Sequence, residues 1–292
     1  MTWSLYRWTW QLESPLYVGM PPAGSVNRCR LYVPARAVWG AVTAELARVA
    51  AEANFPDYQN KGKELSEHAR FTYLFPAEQD GQNWRAWLPR YEKDAGLVWH
   101  REDDAEQIIS DRQLRMRLLS TRPATAIEPS SDTAAEGSLR ETECINTFWR
   151  CEGENSGTAV GLMGYVFVSS AWSSELRGRL EQVDWITVGG DTRYGLGRLQ
   201  RIHWEDAGAV FGYRVNLGNT DPLVEAKYVL GHAEARAGAK GALWGALELL
   251  GGWDGKKDWT RAEPLWAPGS GGAPGQWRIE SDGHWCLAGS GQ

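Results

Sequence analysis

The stretch that decides how this chain folds is Val188-Gly189-Gly190-Asp191-Thr192-Arg193-Tyr194-Gly195-Leu196-Gly197-Arg198-Leu199, here called the glycine loop. A helical pattern precedes it and a strand pattern follows it. Glycine permits positive φ and close backbone approach, and successive N–H groups can form a concavity for anions. Arginine forks suit phosphate, and a tyrosine ring can stack on a base. The loop therefore predicts binding of a nucleic-acid backbone. The simpler alternative is a glycine-rich hairpin that only holds an edge strand in place.

Spacing excludes two familiar phosphate-binding motifs. Gly190 and Gly195 are spaced as in a P-loop, but Leu196 and Gly197 stand where that motif needs Lys and Ser or Thr. The dinucleotide fingerprint fails because Gln200 stands at its third glycine and because that motif runs from strand to helix. No nucleotide cofactor is therefore expected.

Composition is typical of a globular protein. The 292 residues suffice for one large domain or two modest ones, with 42% hydrophobic and 23% charged residues. A net charge of −6 argues against a non-specific polyanion binder but allows a local basic groove. The 17 tryptophans exceed what a core usually needs, which indicates burial in an assembly or base stacking.

Cysteines and targeting signals suggest a reducing compartment. Cys29, Cys144, Cys151 and Cys286 form no C-x-x-C pair, and no histidine lies at a zinc spacing, so no metal is expected. The N-terminus lacks a signal-peptide pattern, and no apolar run approaches membrane-spanning length. A cytoplasmic protein without a membrane partner is predicted.

The order of patterns predicts the fold. Alternation indicates a strand over residues 2–12, and a helix follows from Pro34 to Ala53. After further strands come a central strand over 159–169, a helix and the last strand over 199–204. This βαββαβ order predicts an α+β, ferredoxin-like (RRM-like) domain over residues 1–204. Residues 205–292 are expected to add a C-terminal α/β region, a degenerate second lobe that is partly helical between Lys227 and Leu250.

Two further basic segments accompany the glycine loop. Arg112, Arg115, Arg117 and Arg122 open an inserted hairpin near residues 111–146, whose arginines either reach over a bound strand or contact the acidic segment 101–106. Arg28, Arg30 and Arg36 flank the start of the first helix, a second candidate phosphate site. The predicted RNA contacts are therefore Gly189, Gly190, Arg193, Tyr194, Gly195, Gly197, Arg198, Arg28, Arg30, Arg36, Arg115, Arg117 and Arg122.

Catalytic motifs are missing from the sequence. The five histidines are isolated, and no hydrolase, zinc-protease or Cys–His signature occurs, so no catalytic residue is predicted. His203 follows the glycine loop and is the only histidine near the proposed site. A metal-independent endoribonuclease that uses His203 as acid or base therefore remains an alternative.

Three segments resemble the RAMP proteins of CRISPR effector complexes over roughly residues 1–204. They are Glu13-Ser14-Pro15-Leu16-Tyr17-Val18-Gly19, Val33-Pro34-Ala35-Arg36-Ala37-Val38-Trp39-Gly40-Ala41 and the glycine loop. The resemblance implies an RRM-like ferredoxin fold that binds CRISPR RNA. It also implies a prokaryotic cytoplasmic ribonucleoprotein of antiviral defence, with other RAMP subunits as partners and target RNA contacted only indirectly.

The resemblance also narrows the role. Slicing backbone subunits typically carry an aspartate between the first strand and first helix, but residues 19–30 contain none, which leaves Asp132 in the hairpin tip. Processing endonucleases often use a histidine near the first helix, and residues 19–53 contain none. The implied role is a Cas-five-like capping subunit of a type III-D or related system, which holds the 5′ handle of the guide. Its long hairpin resembles a thumb that reaches the neighbouring backbone subunit. A backbone subunit along the guide is the other alternative.

Overall fold

The structure, a computed structural model, describes residues 2–51, 55–150, 157–235, 243–250 and 264–288. The first part of the chain contains, in order, β1 (Trp3–Leu12), β2 (Val26–Asn27), α1 (Ala35–Ala51), α2 (Tyr58–His68), β3 (Ala69–Phe71), β4 (Phe75–Asp80), β5 (Asn83–Glu92), β6 (Gly96–Arg101), β7 (Asp104–Ser110), α3 (Asp111–Leu118), β8 (Leu119–Ala124), β9 (Ile127–Glu128), β10 (Thr133–Ala134), β11 (Arg140–Ile145), β12 (Val160–Ser169), α4 (Ser174–Glu181), β13 (Trp185–Thr187), a 3-10 turn (Thr192–Tyr194) and β14 (Arg198–Asp206). The remainder contains β15 (Ala209–Val210), β16 (Tyr213–Asn216), β17 (Leu223–Tyr228), β18 (Ala233–Glu234), β19 (Leu247–Leu249), β20 (Pro264–Trp266), β21 (Gly271–Ile279) and β22 (Trp285–Leu287).

A nine-stranded sheet carries the first part of the chain. Its order is β13-β14-β1-β12-β4-β5-β6-β7, and β3 also pairs with β12. Strand β1 lies between β14 and β12 and is antiparallel to both. Helix α1 lies in sequence between β1 and β3, and α4 lies between β12 and β14. The strands predicted at residues 2–12, 159–169 and 199–204 and the helix predicted from Pro34 are confirmed as elements, within a few residues at their ends.

Aromatic side chains fill the space beside this sheet. Trp8 and Trp10 are fully buried, and Trp8 stacks on Phe71 with ring centroids 5.6 Å apart. Helix α1 buries Val38 and Val42, whose spacing of four residues places them on one helical face. The high tryptophan count reflects the core more than was expected from the sequence. Five of the tryptophans considered in excess of a core are buried within this chain, namely Trp3, Trp8, Trp10, Trp84 and Trp87, and two others, Trp253 and Trp259, lie outside the described residues.

The predicted hairpin belongs to a three-stranded sheet that is separate from the two large ones. Strand β11 pairs antiparallel with β8 and parallel with β2, and β9 with β10 forms the exposed tip. Helix α3 leads into β8 and begins at a capping box, in which Ser110 and Gln113 satisfy each other's backbone N–H groups. The sequence predicted the hairpin within 111–146 but not this helix.

The C-terminal part is an eight-stranded sheet of order β15-β16-β17-β21-β22-β18-β20-β19. It packs on the first sheet, where the Phe211 ring meets Tyr165 edge to face at 4.8 Å. The predicted helical content between 227 and 250 is wrong for the residues described there, which are strand or irregular, while 236–242 lie outside the description. Within this range, β18 and β19 both pair antiparallel with β20, so sheet pairing overrides the helical preference of an Ala- and Leu-rich composition. No described helix is long and apolar enough to cross a membrane.

Candidate nucleic-acid interface

The glycine loop packs against the segment that follows β1. The Gly190 N–H donates to the Tyr17 carbonyl at 2.8 Å, and the Gly197 N–H donates to the Pro15 carbonyl at 2.9 Å. A Cβ on Gly189 would lie 2.3 Å from the Tyr17 oxygen. These glycines therefore serve close approach within the chain, and the N–H groups of Gly190 and Gly197 are bonded internally rather than presented to an anion.

The exposed crest of the loop is the turn from Thr192 to Gly195. It closes through the Tyr194 N–H, which donates to the Asp191 carbonyl at 2.8 Å. Arg193, Tyr194 and Gly195 are exposed, whereas Leu196 and Gly197 are buried. No ion pair to Arg193 occurs among the described residues. The crest thus offers solvent one free cation beside one aromatic ring.

Strand register gives the hairpin a basic face. Arg122 pairs opposite Thr142, and Arg140 pairs opposite Ala124. Residues that are paired across antiparallel strands, or two apart along one strand, share a face of the sheet. Arg122 and Arg140 therefore project to the same side. The sequence missed Arg140 because only the pairing register, and not the local composition, joins it to Arg122.

That face and the glycine loop enclose a cleft of about 490 Å³. The Arg140 guanidinium lies over the Tyr194 ring, 5.4 Å from its centroid, and its Nη2 atom is 3.9 Å from an Asp191 carboxylate oxygen. The cleft thus holds two cations, one carboxylate, an aromatic face and several hydroxyl groups. Its lining residues are Arg122, Pro123, Ala124, Thr125, Ala126, Ser138, Arg140, Thr142, Asp191, Tyr194 and Leu196. Such a surface suits a ligand that combines negative charge with a flat ring.

The other predicted cations are not part of the cleft lining. Arg198 is exposed, pairs with Glu13 at 2.6 Å and lies over the Trp185 ring. Arg36 is exposed in the first turn of α1, and Arg28 and Arg117 are half-buried. Among the residues nominated from the sequence, Arg122 and Tyr194 are the ones that the structure brings together in the cleft.

Two of the nominated arginines have structural partners. Arg115 donates to the Asp111 carboxylate at 2.7 Å and to the Cys29 carbonyl at 3.0 Å, so it ties α3 to the loop before the first helix. Arg30 is only 5% exposed and pairs with Glu248 of the C-terminal sheet. Its charge is neutralised inside the protein and is not available to a phosphate at the surface.

Arg30 belongs to a buried polar network. The His232 ring contacts the Tyr73 hydroxyl at 2.7 Å through Nδ1 and the Glu248 carboxylate at 3.1 Å through Nε2. Burial lowers the pKa of His232, which keeps the imidazole neutral at pH 7. Burial alone would raise the pKa of Glu248, but the His232 hydrogen bond and the Arg30 charge outweigh it and hold that pKa well below its usual value. The network joins the two sheets.

His203 lies in a different depression. This hollow of about 160 Å³ is lined by Arg7, Thr9, Gln82, Asn83, Trp84, Arg85, Met163, His203 and Glu205. It shares no lining residue with the cleft. The structure therefore does not bring His203 to the glycine-loop site, although the sequence places it five residues after Arg198.

The other candidates for chemistry are the cysteine thiols, Asp132 and clusters of metal-ligating side chains. Burial raises the pKa of the Cys29 thiol to about 12 and that of Cys144 to about 11, so both thiols are protonated at neutral pH. Asp132 is exposed at the hairpin tip with φ 53. Within the described ranges, no three metal-ligating side chains are grouped to hold an ion, and Cys151 lies outside those ranges.

Comparison with known proteins relates the fold to one assembly. No family model matches the sequence, and no curated protein matches it. A chain in the cryo-EM structure of type III-B Cmr-beta bound to cognate target RNA and AMPPnP matches with a TM-score of 0.55 and 12% identity, over 91% of this chain and 85% of that chain. A chain of the target-RNA-bound Cmr-beta structure matches with a TM-score of 0.44 and 10% identity, over 68% of this chain and 96% of that chain. A chain of the apo Cmr-beta structure matches with a TM-score of 0.43 and 11% identity, over 69% of this chain and 97% of that chain. The protein is thus structurally similar to subunits of the type III-B Cmr-beta CRISPR effector complex.

Proposed function

We propose that this chain is a CRISPR RNA-binding subunit of a type III ribonucleoprotein effector complex, in which it holds the 5′ handle of the guide. The observation that carries the proposal is the cleft between the glycine loop and the hairpin, where Arg122, Arg140 and Tyr194 meet. Arginine supplies planar donors for phosphate, and tyrosine supplies a stacking surface for an unpaired base. Both are what a single-stranded RNA end requires.

The fold supports the proposal. The strands β14-β1-β12-β4, connected through α1 and α4, follow the order expected of a ferredoxin-like βαββαβ domain. The glycine loop and the segment after β1, two of the three segments that resemble RAMP proteins, are hydrogen-bonded to each other. The likeness to a Cmr-beta chain agrees with this strand order.

Charge restricts the binding to a local surface. The whole chain carries −6, so phosphate is attracted only where arginines cluster. Arg122 and Arg140 outnumber Asp191 within the cleft, and the exposed Arg193 adds a positive charge next in sequence to the cleft residue Tyr194. Such a surface favours a defined RNA end over a long polyanion.

Within the complex we assign the chain a non-catalytic capping role, Cas-five-like and closest to type III-D or related systems. The loop of residues 19–30 offers no aspartate for target cleavage. The strands at the hairpin tip are exposed, as expected of a thumb that contacts the adjacent backbone subunit. A backbone position along the guide is the alternative assembly site.

RNA binding by a cleft variant tests the proposal. Arg122→Ala combined with Arg140→Ala should weaken binding of a handle RNA at least about tenfold and reduce the slope of log K against log salt by about two, one for each lost phosphate contact. Arg214→Ala, which removes an exposed arginine from the C-terminal sheet, is the matched control and should bind like the parent. Parent-like binding by the double variant would show that the cleft is not the RNA site.

An incubation with repeat RNA distinguishes the binding subunit from the endoribonuclease alternative. Repeat RNA incubated with the chain, without divalent metal, should stay intact. Cleavage that disappears in His203→Ala would instead support a processing endoribonuclease, with the depression around His203 as its active site.

A further inference from the structure

Asp191 is an unexpected residue for a surface that binds phosphate. It lines the cleft with a half-buried carboxylate, and its backbone has φ 56, in the left-handed region. Non-glycine residues in that region are uncommon and concentrate at functional sites, and aspartate is among those that tolerate it. The local turn thus holds a negative charge beside two arginines.

The chemistry of a carboxylate limits what Asp191 can contact in RNA. An ionised carboxylate only accepts hydrogen bonds and repels phosphate, so its partners in RNA are N–H donors of a base or hydroxyls of the sugar. The Arg140 guanidinium is 3.9 Å away, which is beyond hydrogen-bond distance. The Asp191 carboxylate oxygens can therefore accept hydrogen bonds from a ligand, while the nearby Arg140 offsets the negative charge.

Guanine fits this acceptor best. Its Watson–Crick edge presents two adjacent N–H donors, from N1 and from the exocyclic amino group, which match the two oxygens of one carboxylate. Adenine, cytosine and uracil each present only one such donor group. The Tyr194 ring lies in the same cleft to stack on the base, and the volume of about 490 Å³ accommodates one nucleotide.

We propose that the cleft receives one unstacked guanine nucleotide of the bound RNA, with Asp191 reading its Watson–Crick edge, Tyr194 stacking on the base, and Arg122 and Arg140 holding the flanking phosphates. This inference rests on the proposed function, since it assumes that the cleft binds RNA. The inference adds a preference for one base, which contacts to the RNA backbone alone do not produce.

Fluorescence anisotropy with a labelled short oligouridine tests the inference. The parent chain should bind the oligomer about tenfold more tightly when one internal uridine is replaced by guanosine, with inosine, which lacks the exocyclic amino group, intermediate. Adenosine at that position should give no comparable gain. In Asp191→Asn the guanosine gain should vanish while binding of oligouridine persists. Asparagine also tolerates positive φ, so this variant preserves the turn, which a melting curve equal to that of the parent would verify.

The failures of the two proposals are distinguishable. If the parent binds all oligomers equally and Arg122→Ala with Arg140→Ala still weakens binding, the guanine inference is overturned and the RNA cleft stands. If Asp191→Asn weakens every oligomer by the same factor, Asp191 only positions Arg140, which also overturns the inference. If the double arginine variant binds every oligomer like the parent, both proposals fall.

Discussion

Gly195 and Gly197 lie two residues apart in the glycine loop and have nearly the same backbone conformation, with φ of 82 and 81. Their surroundings differ. A Cβ on Gly195 would have no atom within 4 Å, whereas a Cβ on Gly197 would lie 1.9 Å from the Val188 carbonyl oxygen. Gly197 is therefore required by contact as well as by conformation, and Gly195 by conformation alone.

This pair gives a matched test of what glycine does in the loop. Gly195→Ala should cost about 1 kcal/mol of unfolding free energy, the penalty of a left-handed alanine. Gly197→Ala should cost about 2–4 kcal/mol, because the loop must also move away from Val188. Urea unfolding of both variants measures the difference. Equal costs would show that the close contact with Val188 contributes nothing.

At the scale of elements, the segment between β1 and α1 connects the site to the rest of the protein. Leu16 exchanges backbone hydrogen bonds with Ile145 of β11 at 2.8 and 2.9 Å, and the Cys29 N–H donates to the Glu143 carboxylate at 2.9 Å. Arg30 then fixes the end of the segment to Glu248 of β19. The hairpin, the glycine loop and the C-terminal sheet are thus held in place through one stretch of about fifteen residues.

The Arg30–Glu248 pair predicts a large effect from a small change. Glu248→Gln should lower the unfolding free energy by about 2–3 kcal/mol, because it leaves the buried Arg30 guanidinium without its counter-charge. Glu280→Gln breaks the exposed pair with Arg278 and should cost less than about 1 kcal/mol, which makes it the control. Denaturant midpoints at pH 7 compare the two.

The pH dependence of the same variant has a definite sign. Because the pKa of Glu248 is lowered in the folded state, its contribution to stability is present above its ordinary value of 4.5 and is lost as the pH falls below that value. The stability gap between the parent and Glu248→Gln should therefore narrow as the pH falls from 5 to 3. A constant gap would mean that the variant acts by disturbing packing.

At the scale of the whole molecule, local patterns predicted the order of elements but not their pairing. Alternation and capping are properties of short segments, so β1, α1, β12 and α4 were recognisable in the sequence. The strands β17 to β20 were not, because β17, for example, forms as a strand through pairing with β21, some fifty residues away. In the cleft, Arg122 and Tyr194 were predictable from residue type. Arg140 gains its role only when the hairpin register brings it to the glycine loop, and Asp191 of that loop gains its role from the same approach.

Shortening the hairpin tip tests whether RNA binding and contact with the neighbouring subunit use different parts of the molecule. Residues 127–137 are exposed except for Ala135, and their base is closed by the hydroxyls of Thr125 and Ser138, which lie 2.6 Å apart. Replacing 127–137 by two glycines removes Ile127, which is 59% exposed, but keeps Arg122, Arg140 and the cleft. Because the tip buries almost nothing, the melting temperature and RNA affinity should match the parent within error.

Assembly with the adjacent backbone subunit, in contrast to RNA binding, should be lost when residues 127–137 are replaced. Under the proposed function the tip contacts the adjacent backbone subunit, so the shortened chain should no longer be retained when that subunit is affinity-purified from co-expressing cells. Arg122→Ala with Arg140→Ala supplies the reciprocal control, since it should assemble through protein contacts while binding RNA poorly. Full retention of the shortened chain would exclude the tip as the contact. Loss of RNA affinity on shortening would instead place the tip within the RNA site, because its removal leaves every charged cleft residue in place.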